Sequence, residues 1–356
     1  MVVSNYSFIS KRISIVSVLI LTAVYFTGIK SVPFHPDESQ WIATSHVFEK
    51  YVSGQFSSPA WNQSYWTLTQ PPVTRYVIGI GRRFGGFTSQ ELNSHWQFNL
   101  DKETNVTNGA MPSDSLLWWS RFPMAALSVL SILIGWGLLQ KSFGRFVGVV
   151  WIGFCVINPY FLTLLRRAMG EASLLFFIML AVYAGYRLLQ IDAKEHNWIK
   201  LTFWIGMFGM MAGFAGAAKL NGLSILVAGV MIVLIIAIKE VNTVQRKLMF
   251  ASCANMVMFL LAGFSFVGSN PYLWQNPIGR ARKMLDHRLN EMDLQQARFI
   301  DAHIDSGLER VEVLPKRIFH THATLDMKGM HLLNVGLFVI GIIRAIMMVA
   351  KTIAKQ

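Results

Sequence analysis

The feature that most limits what this chain can fold into is a series of apolar runs, each about long enough to cross the ~30 Å hydrocarbon core of a bilayer as a helix. They are Ile13–Ile29, Leu116–Leu139, Phe146–Leu165, Ala172–Leu189, Leu201–Ala218, Leu223–Ile238, Leu248–Val267 and Leu332–Ala350. Lipid offers no partner to a bare backbone N–H or C=O, so such runs span as helices. The pattern predicts an all-α polytopic membrane protein with about eight transmembrane helices. Composition agrees, since 53% of the residues are hydrophobic and only 14% are charged, a balance foreign to a soluble domain. Lys11 and Arg12 precede the first run, but no small-residue cleavage site follows before Pro33. The run reads as a retained helix and not as a cleaved leader.

Cations in the short connections set the orientation: Lys11 and Arg12; Lys141 and Arg145; Arg187, Lys194 and Lys200; Lys239, Arg246 and Lys247; Lys351 and Lys355. All five groups fit on the cytoplasmic side without exception. Residues 1–356 then read as one transmembrane domain with two long extracytoplasmic segments, 30–115 and 268–331, and short outer turns at Arg166 and Lys219. The net charge of +13 exceeds what topology needs, and much of the surplus falls in the second segment, including Arg280, Lys283 and Arg288. Long translocated loops are exempt from the charge rule, so these residues point to membrane lipid headgroups or a phosphorylated ligand. A basic surface facing away from the cytoplasm speaks against nucleic acid.

Cys155 and Cys253 both fall inside apolar runs, which predicts core thiols and no disulfide framework. Walker A, GxGxxG, HExxH and paired CxxC sequences are absent, against ATP-driven transport, nicotinamide chemistry and a zinc hydrolase. His35, His287, His303, His320 and His322 lie in the outer segments without a zinc-like spacing, so no metal ligand is assigned. The sequons at Asn62 and Asn105 matter only in a host that glycosylates such loops.

Directly after the first run stands "PFHPDESQW", with Asp37 beside Glu38. From Asp37 onward the spacing of Trp41, Phe48 and Val52 predicts an amphipathic helix along the interface. Two readings of the acids stand: a helix cap, or one carboxylate facing a pocket while its neighbour caps, since adjacent residues do not share a helix face. A helix start would hold an aspartate's pKa low. Trp61, Tyr65, Trp66, Tyr76, Trp96 and Phe98 fit a structure that rests on the bilayer or holds a sugar ring, and Pro71-Pro72 would start a helix at Val73.

These residues carry a family resemblance. Asp37-Glu38 after the first helix, Gln70-Pro71-Pro72 later in the same loop, "SRFP" at Ser120–Pro123, "RRAMGEASLLFF" at Arg166–Phe177 and "AAKLNGL" at Ala217–Leu223 resemble, in order, motifs of the protein O-mannosyltransferase and aminoarabinose-transferase group of GT-C glycosyltransferases. The resemblance implies a GT-C fold and inverting transfer of a sugar from a polyprenyl-phosphate carrier to an acceptor on the extracytoplasmic side. It implies Asp37 as general base, Glu38 in support and Glu171 at the acceptor. Carrier-phosphate contacts fall to Lys219, Arg166 and Arg167, with Arg280, Lys283 and Arg288 as a regional assignment. Gln70, Trp41 and Trp66 complete the substrate side. Gln70 departs from the lysine or histidine frequent in the family at that place, and the chain is shorter than better-known relatives, as either a compact version with the catalytic module or a divergent one with changed chemistry would be. Transfer needs no nucleotide and no cofactor is assigned; a divalent metal is the one alternative. The residues at "AAKLNG" suggest a lone charge among small side chains that leave room for a ligand.

Two other functions fit the same features. A non-catalytic lipid-linked-sugar binding protein or transporter would recognise the carrier without cleaving it, and charges inside the helices would favour it. A structural subunit of a glycan-assembly complex is the third. The acceptor, whether protein, lipid or polysaccharide, has no signature in the sequence.

Overall fold

A computed structural model of the protein describes residues 2–191, 198–240, 243–298, 304, 306–316, 335, 336, 339, 340 and 343. Every regular element among them is helical: α1 Val2–Thr27, α2 Pro36–Ala43, α3 Val47–Val52, α4 Tyr65–Thr69, α5 Val73–Phe84, α6 Lys102–Thr107, α7 Asp114–Phe143, α8 Arg145–Ile157, α9 Pro159–Leu164, α10 Gly170–Leu189, α11 Trp198–Ala218, α12 Ile225–Glu240, α13 Val244–Gly268, α14 Pro277–Arg298 and α15 Gly307–Lys316. Five described helices are long and apolar enough to cross a membrane, and the apolar stretches Ser14–Thr27 and Arg145–Ile157 are shorter. The protein is an integral multi-pass membrane protein. The predicted span Leu332–Ala350, His303, His320 and His322 lie almost entirely outside the described residues.

One run ends differently from its prediction, and one predicted division is met. Phe146–Leu165 is broken at Asn158, whose side-chain oxygen accepts the amide N–H groups of Tyr160 and Phe161 while Pro159 starts α9, a capped restart that favours a bend over a continuous helix. Between α11 and α12 the division is genuine: Lys219 takes an extended backbone and a short 3-10 turn, Leu220–Ser224, leads into α12.

The bundle packs by close approach at small residues. On α11, Gly209 and Gly213 lie against α13 so closely that a Cβ would stand 2.3 Å from Met258 O and 2.0 Å from Ser265 Oγ. Helices in lipid gain no hydrophobic force from meeting, so such contact and the bond from Ser265 Oγ–H to Met210 O, 3.0 Å, hold the pair. A second packed group joins α1, α7 and α8 through Leu21, Tyr25, Ile132, Ile152 and Cys155, all buried. Cys155 thus fills the core as predicted, but Cys253 is exposed, because it stands on the outward face of α13.

One end of the bundle carries a second layer, α2 to α6. Instead of lying amphipathically along a surface, α2 is buried from Glu38 through Ala43, and a 3-10 turn at Thr44–His46 separates it from α3. The layer has a polar interior built on arginines. Arg75 of α5, 1% exposed, donates to Thr44 Oγ1 (2.8 Å) and Gln70 O (2.6 Å) and also to Trp66 O, with its guanidinium over the Trp41 ring. Arg82, fully buried, donates to Ser45 Oγ (2.8 Å) and Phe87 O (3.1 Å) and pairs with Glu49. Buried charge is tolerated only when its donors are met, so these contacts fix the course of residues 44–49 and 66–71 over α5. Trp61 and Trp96, 4% and 8% exposed, are core residues of this layer and not a bilayer-facing belt.

Candidate active site

The site grows from the turn between α1 and α2. Proline at the start of α2 and a side-chain cap fix its first turn: Asp37 N–H donates to His35 Nδ1 (3.2 Å) and His35 N–H to Glu38 Oε2 (3.0 Å). This reciprocal cap settles which way each acid points. Glu38 turns inward, fully buried, and its carboxylate is saturated: Arg121 donates through Nε (2.7 Å) and Nη2 (2.6 Å), and Ala168 N–H donates at 2.9 Å. Arg121 also donates to Ile29 O (3.1 Å) and Val32 O (2.8 Å). The pair therefore ties α1, α2, α7 and the turn before α10 at one point. No lone pair of Glu38 is left for substrate, so it positions its neighbours.

Asp37 points the other way, with 35% of its side chain exposed and His35 Nδ1 3.8 Å from Oδ2. Burial holds its pKa above the usual carboxylate range and Glu171 adds to the rise, while His35, Lys219 and Arg167 pull it down. The helix-start argument predicted a low pKa; removal from water outweighs the helix terminus here. A more basic carboxylate is the better proton acceptor.

Glu171 and Lys219 complete the group. Glu171 stands in the first turn of α10, and Lys219 Nζ donates to its Oε1 at 2.7 Å. Glu171 Oε2 is buried with no hydrogen-bond partner. The backbone of Gly170 lies against both Lys219 and Trp41, since a Cβ there would stand 3.4 Å from Lys219 Cδ and 3.6 Å from Trp41 Cζ2. Arg167 reaches Pro33 O at 3.4 Å, keeps a buried Nε without a partner, and lies in the field of Glu38, Glu171 and Asp37. Burial lowers its pKa. Two carboxylates, a lysine, an arginine and His35 thus meet at the end of the bundle where α2, α10 and the turn after α11 converge.

The other predicted residues lie elsewhere. Trp41, 6% exposed, packs beneath the cluster. Arg166, 7% exposed, donates to Leu162 O (2.5 Å) and lies over the Tyr25 ring, so it packs between α1 and α9 and faces no acid. Gln70 closes α4, and Trp66 packs edge-on against Tyr65 and at a tilt against Phe98. Arg280 donates to Tyr272 O (2.6 Å) and to Gln275 Oε1, over the Tyr272 ring, and borders a separate cleft of about 280 Å³ with Trp61 and Asn62. Lys283 is exposed on α14 and Arg288 sits beside Tyr65 of α4. The small residues of "AAKLNG" leave no room for a ligand: Ala217 and Ala218 are buried against α5, where Thr74 Oγ1–H donates to Ala218 O at 2.9 Å. Among the described residues no group of three or more His, Cys, Asp or Glu is placed to hold a metal. Sequence reading gave no role to Arg75, Arg82 or Arg121, although Arg121 lies within the motif "SRFP", and it weighed His35 only among possible metal ligands and not as the cap that the following proline marks.

The fold is that of the GT-C glycosyltransferases. The Pmt1–Pmt2 protein O-mannosyltransferase complex of S. cerevisiae, bound to the sugar donor, superposes with a TM-score of 0.53 at 16% identity, over 73% of this chain and 33% of that chain. This chain thus spans about a third of the yeast chain's length. No curated protein sequence matches it. The family model described as dolichyl-phosphate-mannose-protein mannosyltransferase matches residues 39–269, well over half the chain, and the chain belongs to that family.

Proposed function

We propose that the protein is an inverting glycosyltransferase that moves a sugar from a polyprenyl-phosphate carrier to an acceptor on the extracytoplasmic side of its membrane. The observation that carries this reading is the meeting of Asp37 and Glu171 with Lys219 and Arg167 at one end of the bundle. Asp37 takes the proton of the acceptor hydroxyl as that oxygen attacks the anomeric carbon. Lys219 and Arg167 stabilise the phosphate that leaves, a role for which a fixed cation in a partly dry site is effective. Glu171 holds the acceptor. Asp37 acts from a site whose frame is the Glu38–Arg121 pair, and the reaction proceeds without a metal.

The fold match and the family assignment support this reading. Purified protein offered a panel of labelled polyprenyl-phosphate sugars tests it. Transfer predicts release of free carrier phosphate with one sugar and a product of inverted anomeric configuration. A protein that binds the donors and never releases carrier phosphate would be the non-catalytic binder or transporter instead.

A further inference from the structure

Within that reading, on which this inference rests, we infer that His35 is a positioning residue for the base: a neutral imidazole holds the first turn of α2 and leaves the Asp37 carboxylate open, whereas a protonated one pairs with that carboxylate and stops transfer. His35 Nδ1 accepts the Asp37 N–H at 3.2 Å. A ring nitrogen that accepts carries no hydrogen, so the capping imidazole is neutral, with its proton on Nε2. The same Nδ1 lies 3.8 Å from Asp37 Oδ2, beyond hydrogen-bond reach. One nitrogen therefore faces both the backbone and the carboxylate of Asp37, and its protonation decides which of them it binds.

A proton on Nδ1 sets N–H against N–H at the cap, and a small movement closes the gap to Oδ2 with a charge-assisted bond. Asp37 is then a paired and weaker base, and α2 has lost a capping bond. The other charges around the pair are engaged elsewhere. Glu38 accepts the His35 backbone N–H but is held by Arg121, Lys219 is paired with Glu171, and Arg167 donates to Pro33 O. Glu171, Lys219 and Arg167 act on Asp37 through their fields. The imidazole is 39% exposed, so it exchanges protons with water directly, and histidine is the side chain that changes charge between about pH 5 and 8. Transfer then needs two sites without a proton, Asp37 and His35, so the acid limb of the rate profile is steeper than one carboxylate gives.

The experiment has two arms on the full chain in detergent. The first needs no substrate: hydrogen–deuterium exchange at the histidine C2 position, read by mass spectrometry across pH, in wild type and Asp37→Asn. Without the carboxylate, His35 should turn over at a pH lower by about half a unit, roughly a threefold loss of proton affinity, as for a partly exposed ion pair. His287 on α14 should not move. An unchanged His35 midpoint would overturn the pairing whatever the protein's reaction. The second arm takes a labelled polyprenyl-phosphate sugar that the protein turns over and compares wild type with His35→Asn. The asparagine oxygen caps a helix as well and does not titrate. Its rate at neutral pH should lie within about twofold of wild type, its acid limb should have a slope near one where wild type approaches two, and one pH unit below the wild-type midpoint it should be roughly tenfold less inhibited. Coincident profiles would reduce His35 to a cap and overturn the inference. So would an asparagine variant that melts as wild type yet transfers slowly at every pH. If no sugar is turned over, the transferase reading fails in the second arm alone, and the first still decides whether His35 and Asp37 pair.

Discussion

Changing Glu38 to glutamine removes one charge and turns one oxygen into an NH2 group with almost no change in volume. Each carboxylate oxygen now accepts two N–H donors, Oε1 from Arg121 Nε and Ala168 N, and Oε2 from Arg121 Nη2 and His35 N. Whichever way the new amide turns, its NH2 group meets two donors where it needs acceptors. Arg121, 2% exposed, keeps its charge with no anion beside it. Breaking a buried pair from one side costs about 3–5 kcal/mol, a large part of the ~5–15 kcal/mol that holds a typical domain folded. Adding Arg121→Met removes the stranded charge as well, and the pair of changes should cost about 1–3 kcal/mol less than the sum of the two single ones. Cys155 gives the assay: it is buried between α1, α7 and α8, whereas Cys253 is exposed. In a Cys253→Ser background, a thiol-reactive dye reports unfolding through Cys155 alone. Glu38→Gln should label at a clearly lower temperature than its parent. Identical labelling curves would refute the claim that this pair ties the four segments together.

Burial holds Asp37 above the ordinary carboxylate range, so transfer should fall away with decreasing pH at a higher value than an unperturbed aspartate would give, read from the pH profile of initial rates. The same raised pKa favours the protonated acid in the folded state; its stabilising contribution is full at low pH and lost as pH rises through the folded pKa. Asp37→Asn should therefore melt no lower than wild type at neutral pH. Gly213→Val would drive a side chain into Ser265 Oγ and Ala262 O, and should cost about 1–3 kcal/mol or more, seen as faster proteolysis between α11 and α13 in detergent. Chelation by EDTA should leave the transfer rate unchanged, and recovery of a lost rate by an added divalent ion would contradict a metal-free reaction.

The membrane-spanning core was legible because lipid imposes one backbone solution and the apolar runs announce it. Asp37, Glu171 and Lys219 were legible through motif order, and the structure brings them together with Arg167. The frame around them was not. Arg121 finds Glu38 across 83 positions, and Arg75 and Arg82 find carbonyl and hydroxyl groups of residues 44–45 and 66–71; no local pattern encodes such partners. Counting cations gave no sign that Arg166 and Arg280 donate to nearby carbonyls. The pKa of Asp37 went astray for a related reason: position in a helix is written in the sequence, and exposure to water is not.

The central claim is that Asp37 accepts the proton in a transfer whose donor is held by other residues. The most direct measurement compares wild type and Asp37→Asn, with one active labelled polyprenyl-phosphate sugar, for donor binding and for release of carrier phosphate in the same preparation. The account predicts retained binding and release reduced by at least about a hundredfold, as for loss of a general base. Release by the asparagine variant at near the wild-type rate would contradict it.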